Sequence, residues 1–136
     1  LVSRFEVSLD ELDHVVADEL LALAIEIARK VTQQTIATHP QVILGVIQAA
    51  LAQLQLQQAV IYLHPDDIAL INTLGETQFT SAGHRIQENA RLARGDVVIE
   101  SGTTHLDARV ATRWQHALSA LGQDTPWLAA DSQEPV

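Results

Sequence analysis

The sequence predicts an α+β fold: two N-terminal helices, the first one long, then a small sheet of three or four strands with a short helix and a C-terminal helix packed on it. Three observations predict it. Apolar residues recur at three- and four-residue spacing from Leu12 to Val31, the period of a helix face. The β-branched and aromatic runs Ala59–Leu63 and Asp96–Glu100 come only after two helical segments. Strands alternate with helices but are too few for a doubly wound sheet, so a small sheet with helices on one face fits better.

The first helix is expected to start at Ser8-Leu9-Asp10-Glu11, which has the form of a capping box: Ser8 accepts from the Glu11 backbone, and the Glu11 side chain reaches back. Leu12, Val16, Leu20, Leu23, Ile27 and Val31 draw its apolar stripe, and Leu9, Val15, Leu21, Ala24 and Ile25 widen it. Acids crowd its start, and Arg29 and Lys30 lie toward its end, as the helix dipole favours. A surface that broad is either buried on two sides within one domain or shared with a partner such as a second copy. His39-Pro40 interrupts the pattern, and Pro40 suits the first position of a second helix. Val42, Ile43, Val46, Ile47, Ala50, Leu51 and Leu54 supply its buried face, with Gly45 costing some propensity. The Gln-rich end, Gln53, Gln55, Gln57 and Gln58, reads as a solvated face or linker.

Ala59–Leu63 reads as a buried strand. His64-Pro65-Asp66-Asp67 opens a short helix, with Pro65 in its first turn and the aspartates at its positive end. Ile68, Ile71 and Leu74 are its expected buried side, and Gly75 its end. A second strand is expected over His84–Asn89, a loop over Ala90–Gly95 and a third strand over Asp96–Glu100. Ser101-Gly102 turns the chain, so that Thr103–Leu106 pairs back as a fourth strand. Asp107 is the expected N-cap of a last helix with the stripe Val110, Trp114, Leu118 and Leu121, stopped at Gly122. The organisation expected is an N-terminal remnant over 1–8, a globular domain over 9–121 and a flexible acidic tail over 122–136, in which Trp127 is either idle or a partner anchor.

The composition excludes several classes of function. The chain has 136 residues and 47% hydrophobic content, enough for one folded domain. It has no cysteine, which removes disulfides, thiolate nucleophiles and Cys-ligated zinc, and fits a cytoplasmic compartment. It has no methionine and opens at Leu1, so a processed chain or fragment is expected. Its apolar stretch Leu20–Ile27 contains Glu26 and is far shorter than a membrane span, so no direct membrane insertion is expected. Residues 1–28 carry seven acids and one base, residues 29–121 seven of each, and residues 122–136 three acids and no base. Without a basic footprint, no nucleic acid is expected as partner.

No cofactor site is expected. The six histidines form no HxxxH or HxH pair. His105 with Asp107 is the one tertiary pairing that suggests a metal-dependent hydrolase, an enzyme-class alternative. His64-Pro65-Asp66-Asp67 has acid–base residues, yet a helix start explains all four. Neither a phosphate-cradling glycine loop nor a GxSxG elbow is present. A non-catalytic protein-binding domain is the expectation.

Several stretches resemble one known family. LLALAIEIARKVTQQTI, followed by THP before a second helix, is similar to the C-terminal domain of the FliH family, the stators and regulators of the flagellar export ATPase. VIYLHPDDIALI resembles that family's strand and N-P-x-D helix start, and ENARLARGDVVIES its D-P-S-L-x-x-G-G-x-x-I-E segment. THLDARVATRWQHAL resembles its closing I-D-A-S-x-x-T-R-W helix. The resemblance runs from about Leu9 to Leu121. His64 stands where the family has Asn, which predicts a weaker helix cap; Asn89-Ala90 replaces Asp-Pro, and Gly95 stands alone where two glycines are common.

The resemblance implies a protein without catalytic residues, cofactor or metal. It implies binding to the N-terminal segment of the flagellar export ATPase, restraint of its hydrolysis and help in delivering it to the export gate, at the cytoplasmic face of the export apparatus. It also implies homodimerisation, with export-gate and rotor contacts made through the helical N-terminal part typical of the family. The alternatives are the injectisome counterpart in type III secretion and, more distantly, the peripheral-stalk E subunit of rotary ATPases. An apolar helix with an acidic flank can pack along a basic or amphipathic partner segment. The expected contacts are Leu12, Val15, Val16, Glu19 and Leu23 on the first helix, and Arg113 and Trp114 on the last.

Overall fold

The structure is a computed structural model and describes residues 2–54, 58–74 and 78–128. It is α+β, as expected. In chain order come α1 (Val2–Thr38), a 3-10 turn (Pro40–Val42), α2 (Ile43–Leu54), β1 (Val60–Leu63), α3 (Pro65–Leu74), α4 (Gln78–Ser81), β2 (Arg85–Glu88), β3 (Val97–Ser101), β4 (Thr104–Asp107) and α5 (Val110–Ser119). The chain divides into two compact units, one ending at Gln34 and the other beginning at Thr35.

The first unit is α1 as far as Gln34. It begins at Val2, upstream of the expected cap, so Ser8 and Glu11 lie inside the helix. No glycine or proline occurs between Val2 and Thr38, so nothing stops the helix from propagating through the capping-box sequence. The dipole match also fails: the first turn has no acid and the last turn no base. Glu26 and Arg29 form an ion pair one turn apart, with Arg29 Nε donating to Glu26 Oε2 at 3.2 Å.

The second unit is built on a mixed sheet in the order β2-β1-β3-β4. β1 and β2 are parallel, and α3 and α4 lie in the connection between them. β3 is antiparallel to both β1 and β4. The register sets the two faces. Ile61 pairs with Ile99 and Leu63 with Val97, so all four point to one side, where they are buried. Ile43, Ile47 and Ala50 of α2, Ile71 of α3 and Phe79 of α4 complete the core on that side. The other face presents Arg85, Gln87, Tyr62, Glu100, His105 and Asp107 around the half-buried Val60 and Val98, a mostly polar surface produced by the same two-residue alternation.

Local details correct the sequence reading at several points. Val42, Leu74 and Leu121, expected inside, are 45%, 47% and 59% exposed. Pro40 opens a 3-10 turn, and the α-helix proper follows from Ile43. Gly75, Gln55 and Gln57 lie outside the described residues. His64 does cap the start of α3. Its Nδ1 accepts from the Asp66 backbone N–H at 3.0 Å, which requires the proton on Nε2; the ring thus does what an Asn carbonyl would.

Candidate partner-binding site

The α1 residues singled out from sequence share one face. At 100° per residue, Leu12, Val15, Val16, Glu19 and Leu23 fall within an arc of about 100°. Leu12 is 56% exposed, Val15 52%, Val16 44% and Leu23 57%, and Glu19 is exposed among them. Ile25, on the opposite side of the helix, is buried. The stripe extends both ways through Phe5, Leu9, Leu20, Ile27 and Val31, all exposed. Its spacing repeats every eleven residues: Leu9, Leu20 and Val31; Leu12 and Leu23; Phe5, Val16 and Ile27. Eleven residues over three turns is 3.67 per turn, the period of helices that wrap with a slight right-handed supercoil. A contiguous exposed apolar stripe of this length is the kind of surface that another helix can cover.

The two α5 candidates are placed differently. Arg113 Nη2 donates to the Gly95 carbonyl at 2.7 Å, and its Nε to the Ala108 carbonyl at 2.9 Å. Burial pulls its pKa below the usual arginine value. Arg113 therefore ties α5 to the loop before β3. Trp114 is half-buried; its Nε1–H donates to the Thr125 carbonyl at 2.9 Å, and its ring lies 5.3 Å from that of Trp127. Trp127, idle in one of the two sequence readings, is instead packed on the last helix.

Two aspartates that sequence reasoning did not single out as organisers hold the loop between β2 and β3. Asp67, 1% exposed, accepts from the Gly95 backbone N–H at 2.8 Å and from Arg94 Nε at 2.5 Å. Asp96 accepts from Ala93 N–H at 2.9 Å with one oxygen and from Val110 N–H at 2.8 Å with the other. Asp96 thus satisfies the first amide of α5, a role expected of Asp107. Asp107 sits two residues before the N-cap position, which Arg109 occupies. It accepts instead from the Arg109 backbone at 3.0 Å, from the Arg109 guanidinium at 2.8 to 3.1 Å and from Thr112 Oγ1 at 2.9 Å. The Arg109 hydrogen bonds hold its carboxyl far below the ordinary aspartate pKa. The Asp67 signal was the acidic first turn of α3; for Asp96, a partner fourteen residues away left none.

The polar sheet face carries a shallow cavity of about 460 Å³ lined by Tyr62, Arg91, Glu100, His105, Asp107 and Arg109, among others. His105 Nδ1 lies 3.3 Å from Glu100 Oε1, and the Asp107 lone pairs are engaged by Arg109 and Thr112. The His105–Asp107 pair of the hydrolase reading is therefore drawn toward two different partners. Among the described residues, no group of three or more His, Cys, Asp or Glu is arranged to hold a metal ion. Among them too, no single helix is long and apolar enough to cross a membrane.

Comparison with known proteins agrees with these features. The family model for "Flagellar assembly protein FliH" matches residues 1–117. The flagellar assembly protein FliH of Salmonella typhimurium is 35% identical over 117 residues, which cover 85% of this chain and 50% of that protein. FliH of Escherichia coli K12 is 34% identical over 117 residues, covering 85% of this chain and 51% of that protein. The chain thus spans about half the length of these curated relatives. An α+β domain preceded by a long helix, matched by the family model over most of its length, belongs to the FliH family of flagellar assembly proteins.

Proposed function

We propose that this chain is a non-catalytic stator and regulator domain of the flagellar export ATPase. It binds the N-terminal segment of that ATPase, restrains its hydrolysis and helps deliver it to the export gate, working at the cytoplasmic face of the export apparatus. The observation that carries this reading is the exposed apolar stripe of α1, which pairs a family membership in flagellar assembly with a surface suited to helix docking. Residues 1–28, with seven acids and one base, favour a basic or amphipathic partner segment and speed the encounter. The eleven-residue repeat supports pairing of α1 with a second copy, because a sustained period presents the same stripe along the whole helix. The flagellar names of both relatives favour the flagellar system over its injectisome counterpart.

The test is to mix the purified chain with the flagellar export ATPase. Co-elution in gel filtration together with a lowered ATP hydrolysis rate is the expected result. Separate elution with unchanged hydrolysis, at concentrations well above micromolar, overturns the reading.

A further inference from the structure

The strand order leaves β4 at an edge of the sheet. The Ala108 N–H donates to the Val97 carbonyl at 2.9 Å, so Ala108, Leu106 and Thr104 turn their backbone groups toward β3. The same alternation turns the backbone N–H and C=O of His105 and Asp107 outward. No hydrogen bond from the described residues reaches these groups. The strand has no lysine, proline or bulge, three of the devices that keep an edge from pairing. On its apolar side the half-buried Leu106 borders an open groove of about 430 Å³, walled by Val42, Val46 and Ala49. Both the hydrogen-bond ladder and the apolar layer therefore stop unfinished at β4.

We propose that β4 pairs antiparallel with β4 of a second copy, joining the two sheets edge to edge. A second copy is the occupant because the strand is complementary to itself. The two-fold axis must pass through a residue, since only then do outward-facing residues oppose one another. An axis at His105 opposes two imidazoles, sets Leu106 against Thr104 and draws Thr103 of the turn against Asp107. An axis at Asp107 opposes two carboxylates and sets His105 against Arg109, like charges in both cases once the imidazole is protonated. An axis at Leu106 has neither fault. It sets His105 against Asp107 twice on the polar face, and Leu106 against Leu106 on the apolar face, where each covers the other. The outward groups of His105 and Asp107 then bond in two reciprocal pairs. The β2 edge lacks such a register. Centred on Gln87, it sets Ile86 against Glu88 on the apolar side. Shifted to oppose Ile86 to Ile86, it draws in His84, whose N–H is already given to the Phe79 carbonyl at 3.0 Å. The pairing of β4 does not rest on the function proposed above, nor on any pairing of α1.

A four-residue edge falls short of the roughly 1,200 Å² that stable interfaces bury, so the contact is weak and needs high concentration. Amide hydrogen exchange of the purified, unmodified chain, compared at about 20 μM and about 1 mM, reads it directly. The His105 and Asp107 amides are expected to exchange at least about fivefold more slowly at the higher concentration, and those of Ile86 and Glu88 equally at both. Unchanged exchange at His105 and Asp107 overturns the pairing, as does equal slowing at Ile86 and Glu88. Disulfide trapping tests the register in a chain that has no cysteine of its own. Leu106→Cys places two thiols on the axis, at a pair whose Cα atoms lie about 4.5 Å apart, within disulfide reach. Thr104→Cys lies on the same face but opposite Ala108, too far from its own copy. In glutathione buffer, Leu106→Cys is expected to form disulfide dimers at least about tenfold faster than Thr104→Cys. Adding His105→Pro removes an outward N–H at an edge that tolerates proline, and should return Leu106→Cys to the slower rate. Equal rates for the two cysteine variants, or no effect of His105→Pro, overturn the pairing. If a variant does not fold, amide exchange of the unmodified chain alone decides.

Discussion

Replacing Leu12 and Leu23 together by alanine isolates the contribution of the α1 stripe. Burying a leucine side chain completely is worth about 2.3 kcal/mol. Leu12 is 56% and Leu23 57% exposed, so docking a partner helix over them can gain roughly 1.3 kcal/mol at each by the same scale. Eleven residues separate them, about 16 Å along the helix, far enough for the two losses to add. The sum, about 2.6 kcal/mol, corresponds to roughly seventyfold weaker binding. Alanine is the best helix former, so α1 itself should not suffer, and the melting temperature should stay within about 2 °C of the parent. Isothermal titration against the ATPase at fixed salt measures the effect, with Leu74→Ala as control because Leu74 is also exposed, at 47%, but lies on α3. Less than threefold weakening by the double variant, with the unmodified chain binding normally, refutes the argument that this stripe is buried in the complex.

Three further predictions concern the loop and helix start that frame α5. Asp67→Ala removes the acceptor of a buried amide and one half of an ion pair, and should lower the unfolding free energy in urea by about 3 kcal/mol; Asp67→Asn, which can keep the bond from Gly95, should lose less than half of that. Gly95→Ala should cost about 2 kcal/mol in the same assay, because φ is +87° there and an added Cβ would lie 3.2 Å from both Ile36 Cγ2 and Val110 Cγ2. For Asp107→Asn the effect should depend on pH. The folded pKa of Asp107 is depressed, so its ionised form contributes stability that is complete above the unfolded value near 3.9 and disappears as pH falls toward the folded one. The variant should therefore be about 1 kcal/mol less stable than the parent at pH 7, with the gap narrowing as pH falls below about 4 and still open at about pH 2, as read from urea melts across that range.

Much of this fold was legible because its signals are local. The apolar spacing of α1, the β-branched runs of β1 and β3, Pro65 at the head of α3 and Gly122 beyond α5 each carry their structural meaning within a few residues. Errors arose where a local signal competed with a longer one. Ser8 and Glu11 fit a capping box, yet the helix continues upstream because Val2–Val7 contains nothing to break it. Helix α4 spans four residues, too few to display a period. Asp96 caps α5 from the far side of a hairpin, and Asp107, nearer in sequence, folds onto Arg109 instead. The five α1 contact candidates were readable as one face from spacing alone. Arg113 and Trp114 were recognisable as distinctive residues, but their engagement by Gly95, Ala108, Thr125 and Trp127 depends on tertiary placement.

Photo-crosslinking distinguishes the α1 stripe from the polar sheet face. A photoreactive amino acid is placed in turn at Val16 and Glu19, inside the α1 arc, and at Gln87 and His105, on the polar sheet face, and each chain is irradiated with the export ATPase. The stator reading predicts adducts from Val16 and Glu19 that map to the ATPase N-terminal segment. Adducts confined to Gln87 or His105, with none from α1, would contradict it.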